Sequence, residues 1–161
     1  MPVAFYAPLK SPHHPSPSGD RTMARLLLKG LAAAGFAPLL ASEMRTFDGR
    51  GDGLVQERLR TECAAEADRL IAAYRDRPAG QRPRLWFTYH VYYKAPDWIG
   101  PRVADGLGIP YAVAEGSRAR KRASGPWALG HSGAEAALDR ADVLFAMTAA
   151  DRDALERDRR P

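Results

Sequence analysis

Polar residues that could carry chemistry recur just after short apolar runs rich in strand-forming residues. The first such run, residues 3–7 (VAFYA), is followed by a proline-rich loop and then by Ser18-Gly19-Asp20, which opens a helical pattern. A helix that begins there presents backbone N–H groups without intrahelical partners, and such groups bind anions. We therefore predict that the functional edge of the domain lies at residues 10–21.

Later apolar runs end in residues of similar type. Because the carboxyl ends of parallel strands meet at one edge of a sheet, we predict a single cleft lined by all of these residues. None of them is singled out as catalytic, and for the histidine among them a structural, hydrogen-bonded role is as consistent with the sequence as a functional one. The predicted cleft residues are Lys10, Ser18, Gly19, Asp20, His90, Tyr92, Lys94, Glu115, Ser117, Arg118 and Thr148.

The sequence predicts no metal and no cofactor. Cys63 is the single cysteine, which excludes an internal disulfide and a cysteine-based zinc site. The adjacent His13 and His14 lie in a proline-rich loop and are predicted to be solvent-exposed or gating residues. The glycine fingerprint of dinucleotide-binding folds, the Walker A loop and the Gly-x-Ser-x-Gly elbow are all missing, which argues against those classes of enzyme.

A dense basic cluster follows the fourth apolar run. It comprises Arg118, Arg120, Lys121 and Arg122, in a chain whose formal net charge is +5. Such a cluster suits phosphates on a nucleotide, a lipid head group or a nucleic acid. A solvated basic loop is an equally good interpretation from the sequence alone.

Hydrophobic periodicity predicts five strands alternating with five helices. The helix at residues 132–140 is assigned from Ser132 and Glu135, which have the spacing of a capping box, and the last helix from Thr148 and Asp151. Crossovers of this length require a parallel sheet with helices on both faces, so we predict one doubly wound, Rossmann-like α/β domain over residues 1–161. Cys63 lies on an apolar helix stripe and is predicted to be a buried core residue. The predicted strands are residues 3–7, 37–41, 85–89, 109–114 and 142–147, and the other predicted helices are residues 20–34, 54–74 and 97–107.

Two features of the sequence bear on its location. No run of about 18 apolar residues is present, so we expect no membrane span. The N-terminus lacks both a basic leader and a long apolar segment, so we expect no signal peptide. The prediction is a cytoplasmic protein, with peripheral association with the inner face of the membrane as a variant of it.

Five segments, in this order and spacing, together resemble one family. They read FYAPLK, SGDRTMARLLLKGLAAAGF, LWFTYHVYYKAPDWIG, GIPYAVAEGS and LDRADVLFAMTAADRDAL, and they span nearly the whole chain. The sequence resembles the N-terminal domain of GT-B glycosyltransferases of the group 1, or family 4, type.

The resemblance implies a two-domain enzyme that moves a sugar from a nucleotide-sugar donor to a glycan, lipid or small-molecule acceptor. The N-terminal domain of such enzymes chiefly shapes the acceptor site. Ser18-Gly19 matches the glycine-rich turn whose amides approach the donor diphosphate, and His90 and Arg118 would face the same cleft. Many members carry a histidine facing the donor sugar where this chain has Glu115.

The resemblance further implies that this chain is the acceptor-side half, that a C-terminal donor-binding domain acts in cis or trans, and that the chain alone has negligible activity. Self-association is left open, and no nucleic acid is expected as a partner. The alternatives are a non-catalytic α/β module that binds a small phosphorylated ligand, and a basic loop that binds nucleic acid or a membrane surface.

Overall fold

The fold is an alternation of strands and helices, seen in a computed structural model that describes residues 1–157. Short 3₁₀ turns at Ala79–Gln81 and Arg120–Arg122 interrupt the connections. The alternation confirms the predicted α/β class. The strands are β1 (Pro2–Tyr6), β2 (Ala37–Ser42), β3 (Trp86–Val91), β4 (Tyr111–Gly116) and β5 (Val143–Phe145), and the helices are α1 (Gly19–Ala33), α2 (Gly53–Arg75), α3 (Gly100–Leu107), α4 (Ala128–Arg140) and α5 (Ala149–Arg157).

The five strands form one sheet in the order β2-β1-β3-β4-β5, and every neighbouring pair is parallel. This is a doubly wound order, in which the direction of winding reverses between β1 and β3. A crevice opens outside the carboxyl ends of the strands at such a reversal, and ligands of open α/β sheets bind there. The predicted Rossmann-like parallel sheet is therefore confirmed. From this topology we expect a ligand to bind at the carboxyl ends of β1 and β3.

Helices cover both faces of the sheet, and each face has its own apolar core. On one face α1 packs its Ala24 against Phe5 and Phe87. On the other face α2, α3 and α4 bury a larger cluster, which includes Cys63 as predicted and Leu155 from α5. None of the helices within residues 1–157 is both long and apolar enough to cross a bilayer.

The predicted start of α3 is wrong by one turn. Asp97 lies before the helix, and its Oδ1 accepts hydrogen bonds from the backbone N–H groups of Ile99 (2.9 Å) and Gly100 (2.7 Å). The helix begins at Gly100 with Pro101 in its first turn. Proline is favoured at that position because it lacks only an N–H that would have no intrahelical partner.

The predicted capping box of α4 is also wrong. This helix begins at Ala128, so Ser132 lies inside it, and the Glu135 carboxylate forms a buried ion pair with Arg118. Ser132 and Glu135 have the spacing of a capping box, but the Glu135 carboxylate pairs with Arg118 and not with the start of the helix.

Strand β2, the second predicted strand, lies at the edge of the sheet. Leu39 is 49% exposed because β2 pairs with β1 on one side only. Strand β4 runs two residues beyond its predicted end, so Glu115 belongs to the strand and not to the loop after it.

Candidate functional site

The loop between β1 and α1 is held in place by arginine side chains. Arg21 Nη1 donates to the His14 and Pro15 carbonyls at 3.0 Å, and Arg25 Nε donates to the Pro12 carbonyl at 2.7 Å. Ser18 caps α1, since its Oγ accepts from the Arg21 N–H at 3.2 Å. The helix therefore opens where the sequence predicts, with an ordered loop delivering Asp20 in its first turn.

His90 lies between two carboxylates at the carboxyl end of β3. Its Nδ1 is 3.0 Å from Asp20 Oδ1, and its Nε2 is 3.9 Å from Glu115 Oε1. All three side chains are partly exposed, with His90 at 21%. The structure thus brings together residues from α1, β3 and β4 that are 70 and 25 positions apart in the chain.

The backbone is strained at the same two strand ends. His90 and Glu115 have φ of 64° and 62°, and they are the two non-glycine residues with positive φ among residues 1–157. The β3–β4 ladder pairs Tyr89 with Ala114 and Val91 with Gly116, so the two strained residues lie side by side. A left-handed conformation costs about 1 kcal/mol or more for a residue with a Cβ, and such residues concentrate at functional sites.

Two tyrosines complete this group. The Tyr92 ring stacks on the His90 imidazole with 5.0 Å between centroids, and the Tyr89 ring lies 5.7 Å from it. Burial raises the pKa of Tyr89, and the neighbouring Glu115 carboxylate raises it further. Burial, with Asp20 nearby, also raises the pKa of Tyr92. Both phenols therefore stay protonated and can donate hydrogen bonds. We call Asp20, Tyr89, His90, Tyr92 and Glu115 the His90 cluster.

Arg118 does not face this cleft. Its guanidinium is 1% exposed and pairs with Glu135 and Asp139 of α4 at 2.6 Å each. The prediction that Arg118 lines the cleft therefore needs correction, because its side chain is buried in ion pairs with two carboxylates of α4.

The remaining predicted residues are spread along the edge. Thr148 caps α5, accepting from the Asp151 N–H at 3.1 Å, and Ser117 is exposed beyond β4. Lys94 packs its ammonium group on aromatic rings. Within residues 1–157 no hydrogen bond or ion pair joins Lys10, Ser117 or Thr148 to the His90 cluster.

The two loop histidines have no role in this cluster. His13 is exposed, as expected, and its Nδ1 lies 3.0 Å from Glu43 Oε1. In the part of the chain that the structure describes, no group of three or more His, Cys, Asp or Glu residues is placed to hold a metal ion.

Sequence reasoning missed Tyr89 as a site residue. It is the last residue of the predicted strand 85–89 and is not among the predicted cleft residues, and its ring lies 5.7 Å from that of His90 with Glu115 close enough to raise its pKa. The dense aromatic run from Trp86 to Tyr93 was the available signal.

The sequence matches no model of a known protein family, and it matches no curated protein. The basis for a function is therefore the His90 cluster at the carboxyl ends of the strands.

Proposed function

We propose that this chain is the acceptor-side domain of a nucleotide-sugar-dependent glycosyltransferase and that the His90 cluster binds sugar hydroxyl groups. The observation that carries the proposal is the placement of His90, with Nδ1 at 3.0 Å from Asp20 and Nε2 at 3.9 Å from Glu115. This placement lies at the crevice where doubly wound sheets bind ligands.

The geometry assigns a direction to each hydrogen bond. A carboxylate only accepts, so the His90–Asp20 contact requires a proton on Nδ1. In the neutral imidazole the lone pair is then on Nε2, which becomes an acceptor. The 3.9 Å separation of Nε2 from Glu115 Oε1 is too long for a hydrogen bond, so the two atoms do not satisfy each other, and each has a lone pair that can accept from a ligand.

A pair of neighbouring hydroxyl groups fits these two acceptors. One hydroxyl donates its hydrogen to His90 Nε2 and the other donates to Glu115 Oε1, while the Tyr92 ring offers an apolar wall beside them. Sugars present such hydroxyl pairs. The same imidazole can take a proton from a hydroxyl that attacks a donor, with Asp20 stabilising the imidazolium that forms.

The charge of the cluster helps to separate the sugar from the donor phosphates. Asp20 and Glu115 are carboxylates, which repel a diphosphate placed directly on the cluster. The resemblance implies that the donor nucleotide is bound chiefly by a second domain, in cis or trans, and that Ser18-Gly19 approaches its diphosphate; the Asp20 carboxylate next to that turn opposes a close approach, so the second domain carries the diphosphate in this proposal. No cofactor is required by this scheme.

The second candidate is a non-catalytic module for a small phosphorylated ligand. The observation that favours it is the Ser18-capped start of α1 at the crevice, since helix N-termini attract anions. Asp20 in the first turn supplies negative charge at that end, which weakens this alternative.

Titration by ¹⁵N-edited NMR separates the two candidates. We expect methyl glucoside or methyl mannoside, added as acceptor sugars, to shift the signals of Asp20, His90 and Glu115 more than UDP or GDP does. The variants Asp20→Asn and Glu115→Gln should lose the response to glycosides, while the matched control Glu43→Gln, beside His13, should keep it. Shifts with UDP or GDP as large as those with the glycosides would favour the phosphate module, and an unchanged response to glycosides in Glu115→Gln would contradict the proposed sugar site.

A further inference from the structure

Two cations share one pair of aromatic rings beyond the His90 cluster. The rings of Tyr93 and Trp127 meet edge to face, with centroids 5.7 Å apart. Lys94 Nζ lies 5.1 Å from the Trp127 centroid and 5.9 Å from that of Tyr93. Arg122 Cζ lies 5.0 Å and 5.3 Å from the same two centroids. We call Tyr93, Lys94, Arg122 and Trp127 the basic–aromatic cluster.

The backbone around this cluster is fixed before any ligand arrives. The carbonyl of Lys94 accepts the Asp48 N–H at 2.8 Å, and Trp127 Nε1 donates to the Asp48 carbonyl at 3.3 Å. Gly130 of α4 packs so closely on the Tyr93 carbonyl oxygen that no Cβ would fit there. The two rings are therefore held by the Asp48 loop and by α4, which favours binding because little order has to be gained.

Within residues 1–157 the positive charges of the cluster have no carboxylate partner. Among residues 1–157 no carboxylate forms an ion pair with Lys94 or Arg122, and the buried Nε of Arg122 has no hydrogen-bond acceptor. Buried donors are normally satisfied, so an orphan guanidinium N–H calls for an acceptor. Cation–π contacts attract each cation to the rings, but they also gather like charges that repel one another.

Arg118, in the same loop, has a structural role and provides a comparison for Arg122. It is buried and paired with Glu135 and Asp139. Arg122, four residues later, remains partly exposed at the surface with aromatic contacts in place of carboxylates. Arg118 Nε also lacks an acceptor, so the difference lies in the carboxylates: Arg118 has two, and within residues 1–157 Arg122 has none and can pair with an anion from outside.

We propose that Lys94 and Arg122 form a phosphate-binding site on the Tyr93–Trp127 pair. A guanidinium and an ammonium gathered on the same two rings carry two positive charges and several N–H donors, which suit a tetrahedral oxyanion. The phosphate belongs to a phosphoester, either on a soluble molecule or on a lipid head group.

A row of aromatic rings connects the basic–aromatic cluster with the His90 cluster. A row of rings leads from His90 to Tyr92 and Tyr93 and then to Trp127, with centroid steps of 5.0, 5.6 and 5.7 Å. A phosphorylated acceptor could thus place its sugar at the His90 cluster and its phosphate at the basic–aromatic cluster. Binding of one acceptor at both clusters rests on the proposed function, whereas the phosphate site does not.

Tryptophan fluorescence gives a direct test, because Trp127 belongs to the site. The full chain is titrated with inorganic phosphate and glycerol 3-phosphate, and separately with phosphatidylcholine vesicles with and without phosphatidylglycerol. The variant Lys94→Gln/Arg122→Gln removes both cations. The control Lys29→Gln/Arg84→Gln removes the same charge at exposed positions away from the cluster, and thermal melts establish that both variants are folded.

We expect saturable binding by the wild type, a loss of about tenfold or more in affinity for the site variant, and wild-type affinity for the control. Saturation by the soluble esters alone indicates a soluble ligand, and saturation only by phosphatidylglycerol vesicles indicates a lipid. Absence of saturable binding to any probe, or equal loss in the control, would overturn the site. Retention of sugar-dependent shifts at His90 in the site variant would show that the two proposals stand or fall separately.

Discussion

Replacing Arg118 by leucine should destabilise the fold severely while leaving the cleft chemistry alone. The guanidinium is 1% exposed and bridges Glu135, itself 8% exposed, to Asp139. In Arg118→Leu the leucine fills much of the space but cannot compensate the carboxylates. Glu135 is then a buried charge without its partner.

The expected cost follows from that uncompensated charge. Removing one partner of a buried ion pair typically costs about 3–5 kcal/mol. For a chain of this size each kcal/mol corresponds to roughly 2–4 °C in melting temperature, so the variant should melt about 6–20 °C below the wild type. Removing the charge of the partner as well, in Arg118→Leu/Glu135→Leu, should recover most of the loss, because a well-packed apolar pair often replaces a buried ion pair without penalty.

Thermal melts followed by circular dichroism, together with urea denaturation, measure these differences. Lys121→Leu, an exposed residue of the same loop, is the matched control and should change the free energy of unfolding by less than about 0.5 kcal/mol. A loss below about 1 kcal/mol in Arg118→Leu, or a double variant no more stable than the single one, would refute the reasoning. Arg118 would then be free to act as a ligand of the cleft.

Three further predictions concern the supporting structure. Burial raises the pKa of the Cys63 thiol to about 12, so iodoacetamide at pH 8 should modify it only when urea unfolds the chain, as mass spectrometry would show. Burial acts to raise the pKa of Asp48, but hydrogen bonds from three backbone N–H groups and a glutamine side chain lower it on balance. Asp48→Asn should therefore lower the free energy of unfolding by about 1–3 kcal/mol at pH 7, as urea denaturation would measure. The difference in free energy between variant and wild type should shrink as the pH falls through the lowered pKa. The wild type then loses the stability that its ionised carboxylate supplies. Gly130→Ala should lower the melting temperature, because the added Cβ would collide with the Tyr93 carbonyl oxygen. The control Gly30→Ala in α1 places its Cβ in open space and should raise the free energy of unfolding by about 0.5–1 kcal/mol.

The sheet could be predicted from the sequence because its signals are local. Each element has a signal within its own residues: an apolar run such as residues 85–89 for a strand, an apolar stripe for a helix, and the glycine after α1 for a helix end. The length of the crossovers then implies parallel pairing of the strands. The errors arose where one particular side-chain hydrogen bond or ion pair decided the outcome. Asp97 sets the start of α3 with a side-chain cap, and Glu135 pairs with Arg118 instead of capping α4.

The candidate site was predicted in part for the same reason. Asp20, His90, Tyr92 and Glu115 follow from the rule that strand ends share an edge, and the structure brings them together. The strained backbone at His90 and Glu115 has no sequence signal, since positive φ at residues other than glycine is imposed by the surrounding fold.

The sequence likewise could not predict that the arginines of the basic loop have different partners. Arg118 and Arg122 are the same residue type four positions apart, yet carboxylates from α4 surround the first and aromatic rings contact the second. Only the position of α4 beneath the loop separates the structural arginine from the available one.

The proposal that His90 and Glu115 bind a pair of sugar hydroxyls is tested most directly by the ring nitrogens of His90. Long-range ¹H–¹⁵N NMR spectra would be recorded while methyl glucoside, methyl mannoside or methyl galactoside is added, with tetrahydropyran as a control that lacks hydroxyls. We predict a proton on Nδ1 of the free protein and a saturable shift of Nε2 with at least one glycoside, absent with tetrahydropyran and lost in Glu115→Gln. Nε2 signals that stay unchanged with every glycoside, or that respond equally to tetrahydropyran, would contradict the account.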